Sequence, residues 1–209
     1  MSDIYANNGS WQLCKSVWRN VSGTWQCIHN AGYAIIGGGR AGSRSATTEK
    51  YTYAIDGVAA GTSLATAREL LTATGNQVVG IFGGGYTTSL TNVTDIYTYS
   101  SDGVASGTNL GSAIDGNAAA GNITYGVFAC GRYNSSYNYI TNAYYKYTYS
   151  NNAVTSGNLI SSRWRLAAVG NDIKGIFGGG EDDGGPTITY GTQKLTYSNS
   201  SVAGGGVYH

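Results

Sequence analysis

Proline and charge are both scarce in this 209-residue chain, which has one proline and 11% charged residues. Leu–Glu–Lys periodicity is hardly present, so long helices are not expected. The 12 basic residues are scattered and the net charge is +1. This charge distribution predicts no basic patch that would bind nucleic acid or an anionic membrane.

Long apolar runs and targeting features are missing as well. No run approaches the roughly 18 apolar residues that a membrane span needs, so no membrane insertion is expected. The start, MSDIYANNGS, has neither a basic nor an apolar region and predicts no signal peptide. Cys14, Cys27 and Cys130 are odd in number and far apart, which favours free thiols in a reducing cytoplasm. Histidine occurs only as His29 and His209, so a zinc site is not expected.

Glycine and tyrosine, in contrast, are abundant, with 33 and 18 residues. Together with the many Thr, Ser and Val residues they favour strands and tight turns over helices. The length predicts one domain, or one domain with an appendage.

The glycines belong to a tandem repeat. A triplet of small residues follows an apolar pair and begins at Gly37, Gly83, Ala129 and Gly178, at spacings of 46, 46 and 49 residues. A Tyr-Thr-Tyr or Leu-Thr-Tyr triplet keeps the same period, beginning at residues 51, 97, 147 and 195. Segments of the VAAGTSL type keep it too, and so does a Gly-Asn pair. Several markers with one period indicate a true repeat of one structural unit.

Each unit predicts four strands, which we call a, b, c and d. Gly-Asn separates strands a and b, and Asp-Gly or a similar pair separates strands c and d, as expected for tight hairpins. We predict an all-β fold, a small β-propeller of about four four-stranded blades. The predicted blades are 25–64, 65–110, 111–160 and 161–209, after an N-terminal hairpin segment at 1–24. In the first blade, residues 25–28 take the place of strand a.

The small triplets then have a physical reason. Blades crowd near the propeller axis, where glycine avoids a Cβ clash, and the apolar pair before it packs between neighbouring sheets. Cys130 stands inside the third triplet, so we expect a small buried core residue there. The alternative is a reactive thiol.

Residues 25–209 resemble the kelch repeat, in which a strand ending in glycines precedes an aromatic strand and a fourth strand. The usual tryptophan near the fourth strand is absent, and a GTSL-type segment stands in its place. The resemblance therefore implies architecture and no particular partner. Four blades are few for that family, which leaves open a fifth partial blade or closure by another copy.

The N-terminal segments IYANNGSWQLCK and VWRNVSGTWQCI predict two short hairpins. Their aromatic–Asn–turn–Trp pattern is similar to motifs of bacteriophage tail and baseplate proteins, and the repeats resemble those of phage, including cyanophage, structural proteins. The resemblance implies attachment through Tyr5, Trp11, Trp18 and Trp25. The alternative is a hairpin that covers an edge of the propeller.

Chemistry-bearing motifs are few. GGGRAG at 37–42 matches a dinucleotide-binding pattern but leads to a predicted strand instead of the helix that such a site needs. Glu181, Asp182 and Asp183 allow a calcium site, or simply a solvated acidic loop. No catalytic arrangement recurs at repeated positions, so we expect no enzyme, no cofactor and no metal.

The third and fourth repeats carry extra length between strands b and c. Binding in propellers and solenoids usually lies where one face varies in length. Tyr and Asn suit contact with protein or sugar. The candidate binding residues are Arg132, Tyr133, Tyr137, Tyr139 and Tyr144, expected to join the fourth blade's loop in one outward patch. Alternatively, these tyrosines cover the strand surface.

These observations favour a non-enzymatic structural component of a phage particle, a tail or baseplate adhesin or a surface decoration protein. We expect location in the virion after assembly in the host cytoplasm. The expected partners are other virion proteins and a host-surface receptor or glycan, in a symmetric oligomeric assembly. The alternatives are a cellular kelch-like protein-interaction module and a sugar-active propeller enzyme.

Overall fold

Residues 5–7, 11–13, 16–21, 24–30, 32–134, 139–182, 188 and 190–207 are described by a computed structural model of the chain. Throughout this part of the chain the regular structure is β-strand and no helix occurs, so none could span a membrane. The all-β prediction is confirmed.

Two hairpins come first. Strand β1 (Tyr5–Asn7) pairs antiparallel with β2 (Trp11–Leu13), and β3 (Ser16–Val21) pairs with β4 (Thr24–Asn30). Both hairpins were predicted from the sequence.

Four antiparallel sheets follow in chain order. Sheet 1 contains β5 (Tyr33–Gly37), β8 (Thr48–Thr52) and β9 (Gly57–Gly61). The strands β6 (Arg40–Ala41) and β7 (Ser43–Arg44) form a separate small hairpin between β5 and β8. Sheet 2 contains β10 (Thr72–Gly75), β11 (Val79–Gly83), β12 (Thr94–Thr98) and β13 (Gly103–Ser106). Sheet 3 contains β14 (Ala118–Gly121), β15 (Tyr125–Ala129), β16 (Ala143–Thr148) and β17 (Ala153–Asn158). Sheet 4 contains β18 (Ala167–Gly170), β19 (Lys174–Gly178), β20 (Gly191–Thr196) and β21 (Val202–Val207).

The order within sheets 2, 3 and 4 is a-b-c-d, as the repeat markers predict. Sheet 1 has three strands. The expectation that residues 25–28 pair as its strand a is wrong, because β4 pairs along its length with β3. Two residues separate β4 from β3 and two separate it from β5, so connection length favours neither partner, and the structure describes the pairing with β3.

The core lies between consecutive sheets. Side chains alternate along strand b, so Ile81 belongs to the cluster between sheets 2 and 3 and Phe82 to the cluster between sheets 1 and 2. A third cluster, which contains Val127 and Phe177, joins sheets 3 and 4. In sheets 2 and 3 both members of the apolar pair therefore pack between neighbouring sheets as predicted. Within the described residues the clusters run from sheet 1 to sheet 4 in chain order, and none joins sheet 4 back to sheet 1.

The glycine triplets serve two purposes. At the first position, a Cβ on Gly83 would lie 2.8 Å from Phe128 of the next sheet, which is the close approach that the sequence predicts. At the second and third positions the backbone turns through positive φ, for example 68° at Gly84 and 102° at Gly85. Turn geometry, beside crowding, therefore selects those two glycines.

Candidate binding surface

The longer b–c loop of sheet 3 lies at the end of the sheets where the d–a connections also run. Its first residue, Arg132, forms a backbone bridge with Asp115 in the connection between sheets 2 and 3, with N–H···O distances of 2.9 and 3.0 Å. Arg132 also bridges to Ile140, where the loop returns. The loop is therefore fixed at its root.

Arg132 does not form part of an outward patch, which corrects the sequence expectation. Its Nε donates to Asp115 Oδ1 at 3.0 Å and its Nη2 to Asp115 Oδ2 at 2.6 Å, and both residues are buried. Such a bidentate ion pair directs the guanidinium at one carboxylate. The Arg132 guanidinium also lies 5.1 Å from the ring centre of the buried Trp164. Arg132 is thus a residue that anchors the loop.

Tyr144 is buried as well and belongs to the cluster between sheets 3 and 4. Its neighbour Tyr145 points to the other face of the sheet, because side chains alternate along β16. The sequence pattern does not say which of two consecutive tyrosines faces which sheet. Tyr144 is therefore also removed from the candidate surface.

Tyr133 and Tyr139 do lie at the surface, 50% and 45% exposed. Their ring centres are 5.8 Å apart at an angle of 84°, an edge-to-face contact, and the Tyr133 N–H donates to the Tyr139 carbonyl at 2.9 Å. The pair is thus held by backbone and ring contacts at once. Tyr137, the other candidate in this loop, lies outside the described residues.

A concavity of about 400 Å³ adjoins the pair. Tyr133 forms part of its lining, and the other lining residues are Ser112, Ala113, Thr141, Ala143 and Tyr145. This volume falls in the range of small-molecule sites, which are mostly apolar with a few polar groups. Ser112 and Ala113 come from the d–a connection, so sequence reasoning about the b–c loop alone missed them. We call the Tyr133–Tyr139 pair with this concavity the tyrosine surface.

The fourth b–c loop contributes an exposed tyrosine, Tyr190. Glu181, at its root, accepts from Arg165 at 3.4 Å, and Asp183 lies outside the described residues. Whether the two long loops form one patch remains a prediction. Tyr5, Trp11, Trp18 and Trp25 lie on the paired strands of the N-terminal hairpins, and the attachment role of their side chains stays a prediction too.

Other chemistry-bearing residues have structural surroundings. Residues 37–42 lead into the β6–β7 hairpin, which differs from the helix of a dinucleotide site. Cys130 is buried as expected, and burial raises the pKa of its thiol to about 12. Burial likewise raises the pKa of Tyr149 and of Tyr197 to about 12. Among the described residues, no group of three or more His, Cys, Asp and Glu side chains could hold a metal ion.

No protein-family model matches this chain, and a search of curated proteins finds none with a similar sequence. The tyrosine surface and the repeated sheets therefore carry the functional argument.

Proposed function

We propose that the chain is a non-enzymatic binding component of a phage particle, of the tail or baseplate adhesin type or a surface decoration protein. The observation that supports binding is the exposed Tyr133–Tyr139 pair, which lies in the loop that the third repeat lengthened. Two rings held edge to face present a rigid apolar area at low entropic cost.

The chemistry of the surface suits a glycan or a protein loop. Sugars present apolar C–H faces that stack on tyrosine rings, and hydroxyls such as that of Ser112 beside the rings can accept and donate hydrogen bonds. Placement in a virion is supported by the resemblance of the repeats and N-terminal hairpins to phage structural proteins. Mass spectrometry of purified particles tests it, and a chain absent from them favours the alternative, a cellular kelch-like interaction module.

The binding role is tested by replacing both exposed tyrosines, Tyr133→Ala with Tyr139→Ala. Truncating aromatic anchors at a true contact costs ~2 kcal/mol or more of binding, roughly 30-fold in affinity. The readout is attachment to host cells or to a glycan array, with Tyr133→Phe plus Tyr139→Phe as the variant that keeps the rings. Val78→Ala, an exposed aliphatic position in a hairpin at the opposite end of sheet 2, is the matched control.

Because both tyrosines are half exposed, their replacement should cost only the ring contact, about 0.5–1.5 kcal/mol of unfolding free energy. Unchanged attachment by the double alanine variant would refute a binding role for this surface. A large loss of stability would show that the rings are packing residues.

A further inference from the structure

A lysine of one sheet is held by the c–d turn of the next. Lys50, in strand c of sheet 1, donates from Nζ to Asp102 Oδ1 at 2.8 Å and to the Tyr99 carbonyl at 3.2 Å in sheet 2. Tyr97 donates to the same Asp102 oxygen at 2.9 Å. These hydrogen bonds, the one from Lys50 first, lower the pKa of Asp102, so the carboxylate is charged at neutral pH.

The same contact recurs between sheets 3 and 4. Lys146 stands at the position of Lys50 in the repeat, and its Nζ donates to Ser200 Oγ at 2.6 Å and to the Tyr197 carbonyl at 3.1 Å. Ser200 and Tyr197 stand where Asp102 and Tyr99 stand in sheet 2. The contact therefore recurs at two of the three junctions, while sheet 2 carries Ile96 at the lysine position.

A second contact of the same kind is carried by the a–b turns. Asn76 Nδ2 donates to the Ile123 carbonyl at 3.1 Å, from sheet 2 to sheet 3. Asn122 Nδ2 donates to the Asp172 carbonyl at 2.8 Å, from sheet 3 to sheet 4. Each sheet thus offers donors to its successor and acceptors to its predecessor.

Sheet 4 carries the donor side of this interface with no successor in the described chain. Lys194 stands at the position of Lys50 and Lys146. Ile176 is 37% exposed, whereas its counterparts Ile81 and Val127 in the inner sheets are fully buried. A face that is buried inside the stack is therefore open at this end.

Sheet 1 carries the matching acceptor side, also open. Ile36 is 66% exposed, whereas its counterpart Phe82 in sheet 2 is 2% exposed. Tyr53 and Val58, at the positions of Tyr99 and Val104, are exposed too. Asp56 stands at the position of Asp102 and already accepts a hydrogen bond from Tyr51, the counterpart of the Tyr97–Asp102 bond. The acceptor is thus assembled in the turn of sheet 1.

The two open faces are complementary in charge. The sheet 4 face carries Lys174 and Lys194, which share a face with Ile176 because they alternate with it or pair across from it. The sheet 1 face carries Glu49, which pairs across from Ile36, and the turn carboxylate of Asp56. The open face of sheet 4 is therefore positive, and the open face of sheet 1 is negative.

We propose that the open face of sheet 4 binds the open face of sheet 1 of a second copy of this chain, head to tail, with Lys194 donating to Asp56 and to the Tyr53 carbonyl of that copy. The contact repeats the geometry of Lys50 and Lys146 and continues the stack of sheets across the chain boundary. A head-to-tail contact closes into a ring or grows into an open filament. Two copies in a ring give about eight sheets, within the roughly four to eight blades of known propellers. The inference does not rest on the virion assignment.

Charge reversal tests the pairing. The full chain of 21.7 kDa is measured by size exclusion with light scattering, as wild type, Lys194→Glu and Asp56→Lys. We expect wild type to form dimers or larger species and each single variant to run as a monomer. Arg40→Glu reverses a charge in the exposed b–c loop of sheet 1, away from the proposed contact. This variant is the control and should assemble like wild type. Circular dichroism checks that all variants keep their strands.

Mixing the two variants is the decisive step. In a mixed pair, the glutamate introduced at position 194 of one chain would meet the lysine introduced at position 56 of the other, while the second contact keeps its native charges. Assembly should therefore return on mixing. A wild type that is monomeric at every concentration would overturn the proposal, and so would assembly that survives both reversals. Monomeric variants that lose stability and do not assemble on mixing would show instead that the chain closes on itself.

Discussion

The ion pair of Arg68 and Asp95 gives the sharpest stability prediction. Both side chains are fully buried, Asp95 in strand c of sheet 2 and Arg68 in the connection before that sheet, and Arg68 Nη2 donates to Asp95 Oδ2. Arg68 Nη1 also donates to the Gly84 carbonyl at 3.0 Å and to the Val93 carbonyl at 2.7 Å, so it joins the connection before β10 to the b–c loop of sheet 2. Burial lowers the pKa of Arg68, and the Asp95 charge opposes that shift.

Arg68→Ile leaves the Asp95 carboxylate buried without its partner. Removing one member of such a pair costs about 3–5 kcal/mol of unfolding free energy. At about 2–4 °C per kcal/mol for a chain of this size, the melting temperature should fall by roughly 6–20 °C. Asp95→Tyr alone should cost a similar amount, because it leaves the arginine charge unpaired.

The third repeat suggests the rescue. At the positions of Arg68 and Asp95 it carries Ile114 and Tyr145, both buried, so an apolar pair is compatible with the repeat. The double variant Arg68→Ile with Asp95→Tyr removes both charges. It leaves the Gly84 carbonyl without its donor, which costs about 1–3 kcal/mol of unfolding free energy. The double variant should therefore be at least about 2 kcal/mol more stable than the sum of the single losses predicts.

Urea unfolding at one protein concentration measures the four chains, since any self-association would shift the apparent stability. A single Arg68→Ile loss below about 1 kcal/mol would refute the argument, because the buried carboxylate would then carry no penalty. If the loss in the double variant equals the sum of the two single losses, the claim that an apolar pair can replace the buried ion pair is refuted.

Two further predictions concern packing. Burial raises the pKa of Cys130 from 9.0 to about 12 on folding, so its contribution to stability is complete below about pH 9 and lost as the pH rises towards about 12. The free energy of unfolding, measured with urea, should therefore fall less steeply with pH for Cys130→Ala than for wild type. An identical slope for the two proteins would contradict a buried thiol. Gly83→Ala should lower the free energy of unfolding by about 1–3 kcal/mol in thermal unfolding, because its Cβ would lie 2.8 Å from Phe128. Gly206→Ala has no atom within 4 Å of its Cβ and should change the stability by no more than about ±0.5 kcal/mol. Equal losses in the two variants would contradict a close approach of the sheets at Gly83.

The sequence predicted the strands well because each unit repeats its turn signals. Gly-Asn and Asp-Gly pairs locate hairpins whatever surrounds them, and the observed strands b and c begin and end beside these markers. The sequence predicted the β3–β4 hairpin, but the repeat pattern also assigned residues 25–28 to strand a of the first blade, and that second assignment was wrong.

The exposure of the candidate binding residues was predicted in part. Extra loop length located Tyr133 and Tyr139, which are exposed, but it also selected Arg132, which is buried. The residue that buries Arg132 is Asp115, 17 positions earlier and in another connection. Nothing in the local pattern links the two, so a sequence argument confined to one loop assigned the arginine to the surface.

The differences among the repeats are paired across sheets. Lys50 faces Asp102 and Lys146 faces Ser200, each with a turn carbonyl beside it. Where strand c carries a lysine, that residue is matched to the turn of the next unit, so these positions are interpreted together with the following repeat. Applied to the ends of the chain, the same rule matches Lys194 to the turn of a following unit and Asp56 to the strand of a preceding one. The second copy that we propose would supply both at once.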